Sequence, residues 1–332
     1  MFEFKSEGRY LTVVAIFSWL RDAVAQSSTR RTFIISEKAM KRRFGLLALA
    51  MSLACCVGGW VGPVDAQEME PNRRDANRRD ANRRDDGTTW STEEIETDRD
   101  SFTPATSLAG QRRWIVESAY SFIDNRMVYE THSLPELLVR YGFTERLELR
   151  FGTNYEIGGA GNPISANIPD DLPDEPTLEE ETNVSYGLKY GLTNQSGWFP
   201  KSSILVMGYS PVAGEATNTE MSVAYLGGWT FANRWVFDNA MRYSTGGIDG
   251  DRFNIWAPST VLKVPVGERW KAHIEYFGIF SDGRERETLQ HFISPGAHYL
   301  INRNFEIGSR FGWGLNDDSP HSFINLGGGI RF

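Results

Sequence analysis

From residue 113 to the end of the chain, apolar and polar residues alternate in short runs. In Trp114-Ile115-Val116-Glu117-Ser118-Ala119-Tyr120-Ser121-Phe122, one parity holds Trp114, Val116, Tyr120 and Phe122, while Glu117 and Ser121 fall on the other. The scheme returns with Leu147, Leu149 and Phe151 against Glu148 and Arg150. It returns again with Val184, Tyr186, Leu188, Tyr190 and Leu192 against Ser185, Gly187, Lys189 and Gly191, and with Trp235, Phe237, Met241 and Tyr243 against Asp238 and Arg242. A period of two puts each set on one face of a strand. Runs of about ten residues are the length that a tilted strand needs to cross a bilayer.

A soluble sandwich alternates as well, so the environment of each face has to be decided. Glu117, Glu136, Arg140, Glu148, Arg150, Lys189, Asp238, Arg242, His273, Glu275, His298, Glu306 and Arg310 all fall on the parity opposite the aromatics. Burying so many ionised groups in a dry core would cost several kcal/mol each. A wet lumen accepts them, and these thirteen are the candidate lumen-lining residues. Trp114, Tyr141, Tyr155, Trp229, Trp235, Tyr243, Trp270 and Tyr299 gather at strand ends, as the interfacial girdles of a membrane barrel require. The predicted fold is all-β, an antiparallel up-and-down transmembrane barrel.

About twelve strands are expected, near 113–123, 134–143, 146–156, 183–193, 202–210, 220–231, 235–244, 253–264, 269–280, 291–301, 304–314 and 322–332, an even number as single-chain bacterial barrels show. The parity of 202–210 and 253–264 is ambiguous. Short and long connections alternate, which suits short periplasmic turns and longer external loops; 193–201 is longer than its place in that rhythm calls for. In the last run Ile324, Leu326, Ile330 and Phe332 share a face. Ile330 and the terminal Phe332 form the expected signal to the barrel-assembly machinery, which with outer-membrane lipids is the partner this reading implies.

The first third of the chain reads differently. Phe44 to Val64 is an apolar run after Lys41-Arg42-Arg43, broken by Gly58-Gly59 and Pro63 and ending Val64-Asp65-Ala66. That is the form of an export signal over 40–66. Residues 1–39 are then expected to be either an extension from a mis-assigned start, with Met40 the true one, or a long n-region carrying its own short apolar run, Leu11 to Leu20. Residues 67–97, with Asn-Arg-Arg-Asp-Ala repeated from Asn72, have no apolar face and read as a disordered linker. Residues 98–112 are expected as a periplasmic segment ahead of the barrel at 113–332.

Charge and cysteine usage narrow the partners. Residues 1–66 hold nine Lys/Arg against five Asp/Glu, a net +4, so with the whole chain at −8 the remainder carries −12. Nucleic acid is therefore an unfavourable partner, because phosphate contacts need a basic face. Both cysteines, Cys55 and Cys56, lie in the export signal. The acidic run Asp170 to Glu181 lacks the ligand spacing and turn glycine of a calcium loop and reads as a solvated external loop; no metal and no cofactor are expected.

Asp98-Arg99-Asp100-Ser101-Phe102-Thr103-Pro104, then Arg113 to Tyr120 and Leu134 to Arg150, resemble the opening of a family of outer-membrane barrels named for the MetA-type phenol meta-pathway and also described as transporters. That family usually has a proline between the arginine and aspartate of its opening, where this chain has Arg99-Asp100. The resemblance implies a small barrel associated with catabolic or uptake functions. Two functions are carried forward. One is a passive channel for small molecules, aromatic or hydrophobic ones among them. The other is a non-conducting surface scaffold; oligomeric state stays open. An enzyme is not expected: His291 and His321 lie near Ser294 and Ser322, yet those offsets do not set nucleophile and base on one strand face, and no nucleophile elbow, zinc helix or phosphate loop occurs. Arg140, Arg150, Glu136 and Glu148 lie within cross-strand reach, either as pore-lining charges or as a plug of salt bridges in a narrow lumen.

Overall fold

In a computed structural model, the chain is described over residues 92, 94–99, 101–165, 178–214, 218–248, 251–284 and 287–332. The expected extension (1–39), the export signal (40–66), the Asn-Arg-Arg-Asp-Ala repeat and residues 170–177 of the acidic loop lie outside the described residues.

Thirteen strand segments follow one another: β1 (Trp114–Asp124), β2 (Thr131–Ser133), β3 (Leu137–Gly142), β4 (Leu147–Gly158), β5 (Glu179–Thr193), β6 (Lys201–Ala213), β7 (Glu220–Thr230), β8 (Val236–Ile248), β9 (Asp251–Val266), β10 (Trp270–Asp282), β11 (Leu289–Asn302), β12 (Phe305–Gly314) and β13 (Ser322–Arg331). β2 and β3 are two halves of one stave, since both pair with β1 and with β4. Pro135 has no N–H to give to a ladder, and the stave opens there; Ala119 and Glu136 still exchange backbone hydrogen bonds across the gap (3.3 and 3.0 Å). The result is a twelve-stave antiparallel meander. It closes where β1 meets β13, in register from Ile115 opposite Arg331 to Asp124 opposite Ser322.

The wall is inverted relative to a soluble protein. Phe151, Leu188, Tyr225, Met241, Ile307 and Leu326 point outward and are exposed, while Arg140, Lys189 and Arg310 are fully buried inside. No helix among the described residues is long and apolar enough to cross a membrane; the crossing is made by strands whose backbone groups are paired around a closed ring. At the short-turn end, Trp114 packs on Tyr141 (4.4 Å between centroids) and Trp270 on Tyr299 (4.8 Å), and Tyr243 packs on Trp256 (4.8 Å) toward the other end. These paired rings are the girdles of a transmembrane barrel.

Three details differ from the reading of the pattern. β5, β6, β8 and β9 run beyond their expected bounds at the long-loop end, so the connections after Pro211 and Thr245 are shorter than expected. The long turn 193–201 is folded back on itself by a bridge between Ser196 and Phe199, which lets it occupy the place of a short turn. Of residues 98–112, expected as a periplasmic segment ahead of the barrel, most run inside it: Asp98, Ser101, Phe102, Thr103, Ala105 and Leu108 are all buried, while Gln111 and Arg112 are exposed at the exit.

Candidate functional site in the lumen

The segment before β1 enters at the short-turn end, where Ile95 donates its N–H to the Arg303 carbonyl (2.8 Å). It rises to Phe102, doubles back and returns to Gly110. The acids of the rising arm stand at every second position, so an extended chain turns them toward lumenal cations. Glu94 meets Lys271 at 3.4 Å, Glu96 meets Lys263 at 3.0 Å, and Asp98 meets Arg150 at 2.7 Å and Lys189 at 3.0 Å. Ala105 N–H donates to Asp98 Oδ1 (3.0 Å) and the Ser107 hydroxyl to Glu96 (2.5 Å), which fastens the two arms together. At the exit, Gly110 has φ +87° and a Cβ on Gly142 would sit 1.7 Å from the Gly110 carbonyl oxygen; no side chain fits at 142 while the hairpin is seated.

The wall answers with groups that satisfy the hairpin's backbone. Glu117 accepts the N–H groups of Asp98 (2.7 Å) and Arg99 (3.0 Å) with one oxygen and Arg140 (2.9 Å) with the other. Glu275 accepts Phe102 N–H (3.0 Å), Thr103 N–H (2.7 Å) and Arg310 (2.8 Å). Glu148 accepts Ala109 N–H (2.7 Å) and pairs with Arg140 (3.0 Å) and Arg150 (3.3 Å). Lys189 spends all three donors on the hairpin: Asp98, the Ala105 carbonyl (2.9 Å) and the Ser107 carbonyl (3.2 Å). Charged groups removed from water survive when every lone pair and proton is used in this way.

The remaining expected residues also lie inside. Glu306 accepts the Thr97 hydroxyl (3.0 Å) and lies 3.7 Å from His298, whose Nε2 is 2.6 Å from Nδ1 of His273. Asp238 faces Thr106 (3.5 Å) and Lys263 (3.7 Å). Arg242 donates to the Phe102 carbonyl (3.3 Å) and its guanidinium lies 4.6 Å over the Phe102 ring. Glu136 does not meet Arg140; it accepts Asn162 (2.7 Å) and Ser165 (2.5 Å) from a second inward segment, residues 162–165, whose Ile164 carbonyl accepts Arg310. Ile330 and Phe332 face outward, Phe332 exchanging backbone hydrogen bonds with Trp114 (2.9 and 3.2 Å).

Toward the long-loop end the lumen is apolar. Phe102 stacks on Phe277 (4.3 Å, 9°) and Phe277 on Phe292 (4.5 Å, 12°), in one cluster with Ile123, Ile164, Phe253, Ile255 and Phe323. The pattern reading did not identify these residues, nor Glu96, Asp98 and Phe102 of the hairpin. The alternation of acids at 94, 96 and 98 was the available signal.

Burial alone would raise the Asp98 carboxyl, but Arg140, Lys189 and Arg150 outweigh it and hold it well below the usual carboxylate range. Burial likewise opposes ionisation of Glu96, and Lys263 together with the Ser107 hydroxyl brings it down to about 2. Both are therefore anions at neutral pH, and the hairpin's acids sit against the cations of a lumen that carries both signs. Beside it a cavity of about 40 Å³ remains, lined by Asp98, Arg99, Arg150, Ser185, Leu205, Met207, Ser222 and Arg242 among others. At roughly 10–15 Å³ for each water, it holds about three. No group of three or more His, Cys, Asp or Glu suited to a metal ion occurs among the described residues.

The sequence profile of the family described as "Putative MetA-pathway of phenol degradation" matches residues 97–332. The chain belongs to that family. The family segment begins at Thr97, so it takes in the hairpin from Asp98 onward as well as the barrel. Among solved structures, the chain is similar to the COG4313 outer membrane channel from Pseudomonas putida F1 (12% identity, TM-score 0.46, covering 72% of this chain and all of that one). It is similar also to the NanC porin (9%, TM-score 0.45, 65% and 98%) and to the KdgM porin in complex with disordered oligogalacturonate (13%, TM-score 0.39, 66% and 99%). Comparison with curated proteins finds no match.

Proposed function

We propose that the protein is a passive channel of the bacterial outer membrane for small solutes, aromatic or hydrophobic ones among them. It reaches that membrane by the export signal at 40–66 and is assembled through its Ile330 and Phe332 terminus. One observation carries the reading. Part of the lumen is occupied by a chain segment held through ion pairs and hydrogen bonds, with Asp98 on Arg150 and Lys189 at its centre, beside the apolar cluster of wall side chains at the long-loop end. A guest of this kind can shift without unzipping the barrel ladders. The stacked Phe102, Phe277 and Phe292 offer a surface suited to flat apolar solutes, and the family's association with phenol degradation agrees with it.

A second reading, a non-conducting scaffold, draws on the small volume left beside the hairpin. Planar bilayers containing the purified full-length barrel separate the two. Discrete conductance steps in wild type, enlarged when Asp98 is replaced, are expected for the channel; membranes that stay closed at all voltages for both forms favour the scaffold.

A further inference from the structure

The cavity beside the hairpin has a composition that a simple water-filled gap does not need. Three arginines are among its lining residues: Arg99 from the hairpin, Arg150 from β4 and Arg242 from β8. Ser185 and Ser222 join them, and Leu205 and Met207 of β6 are apolar members of the lining. Among the described residues, the acid in the lining is Asp98, and both of its oxygens are engaged: Oδ2 by Arg150 and Lys189, Oδ1 by Ala105 N–H. The Nε–H groups of Arg99 and Arg150 are left without an acceptor, although Arg150 is almost wholly buried. Arg99 uses its other nitrogens on the carbonyls of Ser165 (3.1 Å) and Leu137 (3.2 Å), which holds it in place.

Buried donors without acceptors are a cost that a bound acceptor removes. Guanidinium has donors alone, so the missing partner is an acceptor, and a cation is excluded by charge. The volume admits about three to four heavy atoms, the size of acetate, with Leu205 and Met207 in the lining to meet its methyl group. We propose that this cavity is a binding site for the carboxylate of a small organic acid. As a step in permeation, it rests on the channel reading above; as a binding site, it does not.

The test uses the full-length protein in detergent micelles with sodium acetate as the probe, followed by saturation-transfer NMR and titration calorimetry. Ethanol and sodium chloride serve as comparison arms. Saturable binding of acetate and none of ethanol is expected; chloride competing as well as acetate would make the site one for any small anion and overturn the carboxylate assignment. Arg150→Gln is expected to weaken acetate at least tenfold. Because Arg150 also holds Asp98, Ser222→Leu is the second variant: it fills the cavity without removing an ion pair and should abolish binding while the heat-modifiable gel mobility of the folded barrel is retained. Acetate binding unchanged in Ser222→Leu, or no saturable binding in wild type, overturns the proposal and leaves a cavity of water. Bilayer recordings in sodium acetate keep the two readings apart. Binding without current retires the channel and spares the site, whereas current without binding does the reverse.

Discussion

Across β3, β4 and β5 the lumen face carries Arg140, Glu148, Arg150 and Lys189, whereas across β6, β7 and β9 it carries Leu205, Met207, Leu226, Phe253 and Ile255. The hairpin is built to match this division. Asp98 lies against the charged wall on Arg150 and Lys189, Glu96 and Glu94 reach Lys263 and Lys271 nearer the short-turn end, and the tip places Phe102 against Phe277 in the apolar cluster. One side of the guest is held by charge and the other by contact area, so the two should respond differently to the same insult.

The largest effect is expected at the charged wall. Asp98→Lys sets a cation among Arg140, Arg150 and Lys189; breaking a buried ionic cluster costs about 3–5 kcal/mol, and here a like charge is added. The hairpin should leave the lumen, seen as a several-fold rise in single-channel conductance with the barrel still folded. A next, smaller effect belongs to the apolar side: Phe102→Ala removes the stacked ring at about 3 kcal/mol, and conductance should flicker between two levels. If Phe102→Ala exceeds Asp98→Lys, contact area and not charge anchors the hairpin.

Acid should sharpen the contrast. The folded-state carboxyl of Asp98 lies below its unfolded value, so its stabilisation is fully present above the unfolded value of about 4 and is lost as pH falls through the lower, folded one. The conductance difference between wild type and Asp98→Asn, which isolates the Asp98 contribution, should therefore be constant from pH 8 to pH 5 and should shrink in strongly acid solution, where the carboxyl is protonated. The smallest change is expected from Thr97→Ala, which removes one hydrogen bond to Glu306 and about 1 kcal/mol, read as a slight rise in protease sensitivity of the hairpin.

The same division explains what could be read from residues alone. Alternation reports a contrast between two faces, and on β1, β4, β5 and β8 the contrast is plain because Glu117, Arg150, Lys189 and Asp238 stand opposite aromatics. On β6 and β9 the lumen face is itself apolar, through Leu205, Met207, Phe253 and Ile255, so the parity of those two strands carried no contrast to read. The twelve staves and the inward direction of the thirteen charged residues were legible for this reason. The partner of those charges was not. Arg140 and Glu148 were weighed as pore lining or as a self-contained plug, and the structure gives them a third part, gripping a segment that the pattern placed outside. Nothing in a period of two announces that a short polar stretch such as Glu94 to Thr106 will fold into a lumen, although its alternating acids fit the lysines there once the barrel is known.

That residues 95–99 and 101–110 lie inside the barrel is tested most directly by one accessibility measurement. With Cys55 and Cys56 replaced by Ser, a single cysteine is placed at Thr103, which is wholly buried at the hairpin tip, and the protein is reconstituted in lipid vesicles and exposed to a bulky maleimide. The account predicts no labelling at Thr103→Cys until denaturation, and rapid labelling once Asp98→Lys is added. Rapid labelling of Thr103→Cys in the otherwise native, folded barrel would contradict it.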